Sequence, residues 1–140
     1  MALPANRAER GTAAVEFALV AGLLVVLLFT ASDLGRAWHA RLVLTVAARE
    51  GARRAALDAG WTPGVEAKVA AVLAAGGLSG AAAVTVAPPG PLHFGHDVTV
   101  TVRYPLTLHS PIARAVVGAE AWLEAALTAR VEGTYRVQIG

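Results

Sequence analysis

The sequence contains no cysteine and a single lysine, Lys68, and only one stretch of it reads as a membrane-spanning helix. Without cysteine there is no disulfide framework and no thiolate to act as nucleophile or metal ligand, so a part of the chain outside the cytoplasm must be held by packing alone. The basic residues other than Lys68 are arginines scattered over the whole length, and the net charge is only +2. The pI of about 9.7 therefore reflects no clustered patch for phosphates, and nucleic acid is not read as a partner. Hydrophobic residues make up 56% of the 140 positions, but much of that is Ala and Val spread along the chain. One domain plus one anchor is what such a length accommodates.

What is present begins at Arg10-Gly11-Thr12-Ala13-Ala14-Val15-Glu16-Phe17 and continues as an apolar run to Phe29. From Thr12 to Ser32 the only charged side chain is Glu16. A helix rising about 1.5 Å per residue over that length reaches roughly the 30 Å of a bilayer core. Charged side chains at the centre of such a segment cost on the order of 3 kcal/mol, so Glu16 calls for a partner or a place at the membrane surface among water and headgroups. Cleavage after Gly11 would create one, because the new amino group on Thr12 would lie one turn away, at the helix end where the macrodipole also favours a carboxylate. That amine belongs to the same or a neighbouring subunit.

Gly11, then four residues, then Glu16-Phe17 and an uninterrupted apolar helix resemble the cleavage and assembly motif of type IV pilins and pseudopilins. More narrowly, the segment from Gly11 to Ala56 resembles the TadE-like proteins of the tight-adherence (Flp) pilus system. It does so through Glu16-Phe17-Ala18-Leu19-Val20, Asp33-Leu34-Gly35-Arg36 and Ala47-Ala48-Arg49-Glu50-Gly51-Ala52-Arg53. Where that family often has a proline in the apolar run, this chain has Gly22. The resemblance implies a processing site at Gly11 and Thr12, with Glu16 and Phe17 used in recognition and assembly. It also implies three partners: the membrane, a prepilin peptidase, and other pilin-like subunits with their assembly machinery. The N-terminus would be cytoplasmic and the head extracytoplasmic. Charge counting alone is balanced, with Arg7 and Arg10 before the span and Arg36 and Arg41 after it.

Nothing between Phe29 and Leu57 stops a helix: proline is absent, and Gly35 and Gly51 cost about 1 kcal/mol each against Ala. Ala37, Ala40, Leu44, Ala47, Gly51 and Ala55 recur at three- and four-residue spacing, forming one stripe that another element can approach closely. Glu50 and Arg54 are spaced for an ion pair on another face. One long helix from Thr12 to about Leu57 is the reading, with a break near Gly35 as the alternative. Thr62-Pro63 then caps and opens a second helix whose apolar face is Val65, Val69, Val72 and Leu73, ending at Gly76-Gly77.

From Val84 the period changes to two. Val84 and Val86 flank Thr85, and Val98, Val100, Val102 and Tyr104 alternate with Thr99, Thr101 and Arg103. A third alternation runs Leu127, Ala129, Val131, Tyr135, Val137 and Ile139. These predict a three-stranded antiparallel sheet with one buried face. Ser110 caps and Pro111 opens a short helix carrying Ile112, Val116 and Trp122. The fold class is therefore α+β: a long N-terminal transmembrane helix continuing into a pilin-like head with a second helix and a small sheet. The divisions are a leader at 1–11, the spanning half of the helix at 12–32 and the head at 33–140.

Chemistry is sparse. His93, His96 and Asp97 sit in a loop whose spacing fixes no metal geometry. Gly76-Gly77-Leu78-Ser79-Gly80 lacks the lysine of a phosphate loop and the spacing of a nucleophile elbow. Asp58, Glu66, Glu120 and Glu124 fall on predicted surfaces without an evident partner that would raise a pKa. No cofactor, metal or catalytic residue is assigned, and the chain is read as structural rather than enzymatic. A rival reading makes residues 12–32 a signal peptide cut near Ser32, or a plain anchor, for an extracytoplasmic binding module unrelated to pili.

Overall fold

The computed structural model describes residues 7–80 and 82–132. Its element order is α1 (Arg7–Leu57), α2 (Pro63–Ala75), β1 (Ala83–Ala87), β2 (Asp97–Thr107), α3 (Pro111–Val117) and β3 (Glu120–Arg130). The strands form one sheet in the order β1-β2-β3 with both pairs antiparallel. α1 is a single helix of 51 residues, unbroken at Gly35.

The upper part of α1 is buried along the small-residue stripe: Ala40, Leu44, Ala47, Ala48, Ala52 and Ala55 are all covered. A Cβ at Gly51 would stand 2.7 Å from Val69 Cγ2 and 3.1 Å from Val100 Cγ1. The stripe is thus where α2 and β2 both press on the helix, and glycine is needed there for space rather than for backbone freedom. α2 turns its Val65, Val69 and Leu73 into this core, and the sheet contributes Val98, Val100 and Val102 from β2.

Three local expectations are corrected. Thr62 has the extended backbone of an N-cap, but its side chain caps nothing. Its hydroxyl instead donates to Asp58 Oδ2 at 2.6 Å, and Arg54 Nε donates to the same oxygen at 2.9 Å. Asp58 thus has two donors in reach, one from the end of α1 and one from the turn before α2, and the Glu50–Arg54 pair gives way to Glu50–Lys68 at 3.8 Å. Glu124 is paired as well, with Arg103 at 3.3 Å.

Trp122 belongs to β3, not to the short helix. α3 ends at Val117 because Gly118, at φ 102°, turns the chain out of the helix. β3 then starts at Glu120, and Ala121, Leu123, Ala125, Leu127 and Ala129 are half-buried in alternation with exposed neighbours. The phase expected from Leu127 and Ala129 holds, but the strand begins earlier, where alanines concealed the alternation. The continuation through Tyr135, Val137 and Ile139 lies outside the described residues.

Candidate functional site

The segment from Gly11 to Phe17 is helical and exposed at every position. A Cβ at Gly11 would meet nothing within 4 Å. An interior glycine costs about 1 kcal/mol against alanine in a helix, and no close approach within the chain offsets that here. The same holds at Gly22 and Gly35, in contrast to Gly51. Glu16 lies one turn after Thr12 on the exposed helix, and none of the ion pairs among the described residues involves it. The structure thus brings Gly11, Thr12, Glu16 and Phe17 together on successive turns of one helix, all of them exposed.

The apolar run beyond them is uncovered. Val15, Phe17, Leu19, Val20, Leu23, Leu24, Val25, Leu27, Leu28 and Phe29 are all exposed, from 44% to 75%. Full burial of such a side chain is worth about 1.5–3 kcal/mol and the ten are about 60% exposed on average, so on the order of 10–20 kcal/mol is left unrealised. That rivals the whole stability of a domain, about 5–15 kcal/mol, and water is not the medium such a surface matches. Among the described residues this is one helix long and apolar enough to cross a membrane, with none of its most apolar window buried.

Where the run ends, the head is clamped to the helix. Asp33 is 5% exposed, and its carboxylate accepts from the backbone N–H of His109 at 2.9 and 3.0 Å and from that of Ser110 at 2.6 Å. Arg36, one turn on, lies 3.5 Å from Asp33 Oδ1 and donates to the Thr107 carbonyl at 3.0 Å. Its guanidinium also touches His109 Nδ1. The Ser110 N–H holds the Asp33 carboxyl below the usual carboxylate range, helped by the His109 N–H, the His109 imidazole and Arg36 and opposed by desolvation.

Ser110 completes the clamp. Its hydroxyl accepts from Ala113 N at 3.4 Å, capping α3, and lies 3.0 Å from Thr30 Oγ1. The Thr30 proton goes to the Val26 carbonyl at 2.9 Å, so Ser110 donates to Thr30. Sequence reasoning gave the Ser110 cap but not the role of Asp33. The available signal was a carboxylate directly after the apolar run with arginine three residues later.

Elsewhere, titratable groups do not converge. His39 Nε2 bonds the Gly76 carbonyl at 2.9 Å. The His93 and His96 rings meet edge to face, while Asp97 faces Arg130 at 3.7 Å. Among the described residues no group of three His, Cys, Asp or Glu is placed to hold a metal. A cleft of about 430 Å³ between α2 and β1 is lined by Val69, Leu73, Leu78 and Val84, with Glu66 as its one charged residue.

Residues 11–53 match the model of the TadE-like protein family, less than a third of the chain. The match takes in Gly11, Glu16 and the Asp33–Arg36 pair and stops within the buried half of α1. No curated protein and no solved structure matches the chain.

Proposed function

We propose that this chain is a pilin-like structural or assembly component of a tight-adherence (type IV-like) pilus, anchored by residues 12–32 and carrying its head outside the cytoplasm. The observation that carries this reading is the bare apolar half of α1, which bears Gly11 and Glu16-Phe17 and falls within the TadE-like match. A prepilin peptidase removes residues 1–11, and glycine is required at 11 because a side chain there would obstruct the cut. The scissile bond lies in the second turn of α1 as it stands, so cleavage requires the first two turns to open, at the end from which a helix frays. Glu16 then meets the Thr12 amine of its own or a neighbouring subunit and sets the register of the assembly, without catalytic chemistry.

The test is the N-terminal sequence and intact mass of the protein from membranes of its host. A start at Thr12 is expected, with full-length protein accumulating for Gly11→Val. A start near Asp33 would instead mean a secreted domain, and an intact Met1 a plain anchor; either overturns the reading. Glu16→Gln is expected to be cleaved normally and to lose piliation, and unchanged piliation removes the role of Glu16.

A further inference from the structure

We infer that α3 is a foot of the head resting on the lipid surface, with Ile112, Val116 and Val117 in the boundary between headgroups and acyl chains. The inference rests on residues 12–32 spanning the membrane.

The level of α3 follows from the course of β2 along α1. Val100 stands opposite Gly51, Leu106 and Leu108 pack with Ala37 and Ala40, and His109 and Ser110 reach Asp33. The strand therefore descends α1 toward the apolar run. The Ser110–Thr30 contact fixes where it arrives. Measured from Thr12, Thr30 lies about 27 Å along the helix at 1.5 Å per residue, close to the edge of a core about 30 Å thick. α3 begins at the next residue, Pro111. Immediately after it the chain is back beside β2, where the Leu108 N–H donates to the Ala119 carbonyl at 3.0 Å. Among the described residues of the head, 111–117 thus lie at the end of the span.

The head uses little of this element: Ala113 packs against the cluster of Ala40, Leu106 and Leu108, while the larger side chains of α3 stay outside it. None of its seven residues is buried. Ile112 is 55% exposed, Val116 80% and Val117 60%. Leu34, about 6 Å beyond Thr30 along α1, is exposed beside the clamp as well. Apolar side chains of interfacial helices are buried about 5–10 Å into the headgroup and acyl boundary, which is the depth this level offers. Arg114, the one charged residue of α3, has a stem long enough to return its guanidinium to the headgroups. The lipid contact of the span thereby continues onto the head, and the Asp33 clamp holds the foot at its depth.

Because the chain has no cysteine, a single introduced thiol carries a spin label without background. The full-length chain is placed at one copy per phosphatidylcholine nanodisc with the label at Val116→Cys. Leu23→Cys serves as the reference for the bilayer core and Ala126→Cys, on the exposed face of β3, as the reference for water. The label at 116 is expected to be severalfold less accessible to a water-soluble nickel chelate than the label at 126, and more accessible to oxygen. Equal chelate access at 116 and 126, with the label at 23 in lipid, overturns the foot and leaves the span standing. A label at 23 that the chelate reaches overturns the span itself. Shielding at 116 that arises only with two copies per disc assigns the patch to a second copy of the chain and overturns the lipid contact.

Discussion

The two halves of α1 share one backbone conformation and a high apolar content, yet they are solvated by different things. Below Asp33 the large apolar residues are exposed all round the helix, and Ser110 of the head meets this half at Thr30. Above it a stripe of Ala, Gly and Leu is buried completely. Side-chain size makes the difference. Alanine and glycine let α2 and β2 reach the helix, whereas Leu, Val and Phe arranged all round it leave no face on which a small sheet could cover them. Burial inside the protein and an uncovered apolar surface long enough to cross a membrane are therefore divided between two segments of one element.

The comparison is most strongly tested by adding bulk to a glycine in each half. Gly51→Leu is expected to lower the stability of the head by about 3 kcal/mol, because its Cβ already collides with Val69 and nothing yields cheaply. Gly22→Leu, with open space around it, is expected to leave the same unfolding transition in place. Chemical denaturation of the two variants in detergent checks this, and equal losses would erase the distinction.

A smaller and local effect is expected at the junction between the halves. The Asp33 carboxyl is held below its ordinary range in the folded protein. Its contribution is therefore fully present above the unfolded carboxylate value, about 3.9, and is lost as pH falls through the lower folded value. Hydrogen exchange should show the His109 and Ser110 amides protected at neutral pH and released in acid. In Asp33→Asn they should exchange faster at neutral pH, with the acid-dependent step gone.

The smallest change is expected from Lys68→Ala, which removes the 3.8 Å pair to Glu50 between α2 and the upper half of α1. Half-exposed pairs of this kind are worth about 0.2–1 kcal/mol. A larger loss in thermal unfolding would mean that charge, not the small-residue stripe, holds α2 in place.

Much of this was legible before the fold was known. The end of α1 at Leu57, the stripe from Ala37 to Ala55, the apolar face of α2 and the phase of all three strands follow from local periodicity, whereas α1 begins at Arg7 rather than at Thr12, inside the stretch read as a leader. Where the reading failed, the cause was a choice among partners. Arg54 had Glu50 and Asp58 at equal spacing on either side, and Thr62 could cap α2 or donate to Asp58; only the turn between the helices decided. β3 began earlier than expected because Ala121 and Ala125 carry too little hydrophobic contrast to mark a face.

By itself the sequence determined a helix long and apolar enough to span a bilayer, a processing-like motif at its start, and an α+β head, because each depends on residues near one another in the chain. The tertiary structure alone decided that Asp33 is a buried anchor and that α3 sits at the end of the span. Those facts rest on hydrogen bonds from Asp33 to His109 and Ser110, 76 and 77 residues away. A carboxylate gives no local sign of which distant N–H groups will reach it; the descent of β2 along α1 brings them there.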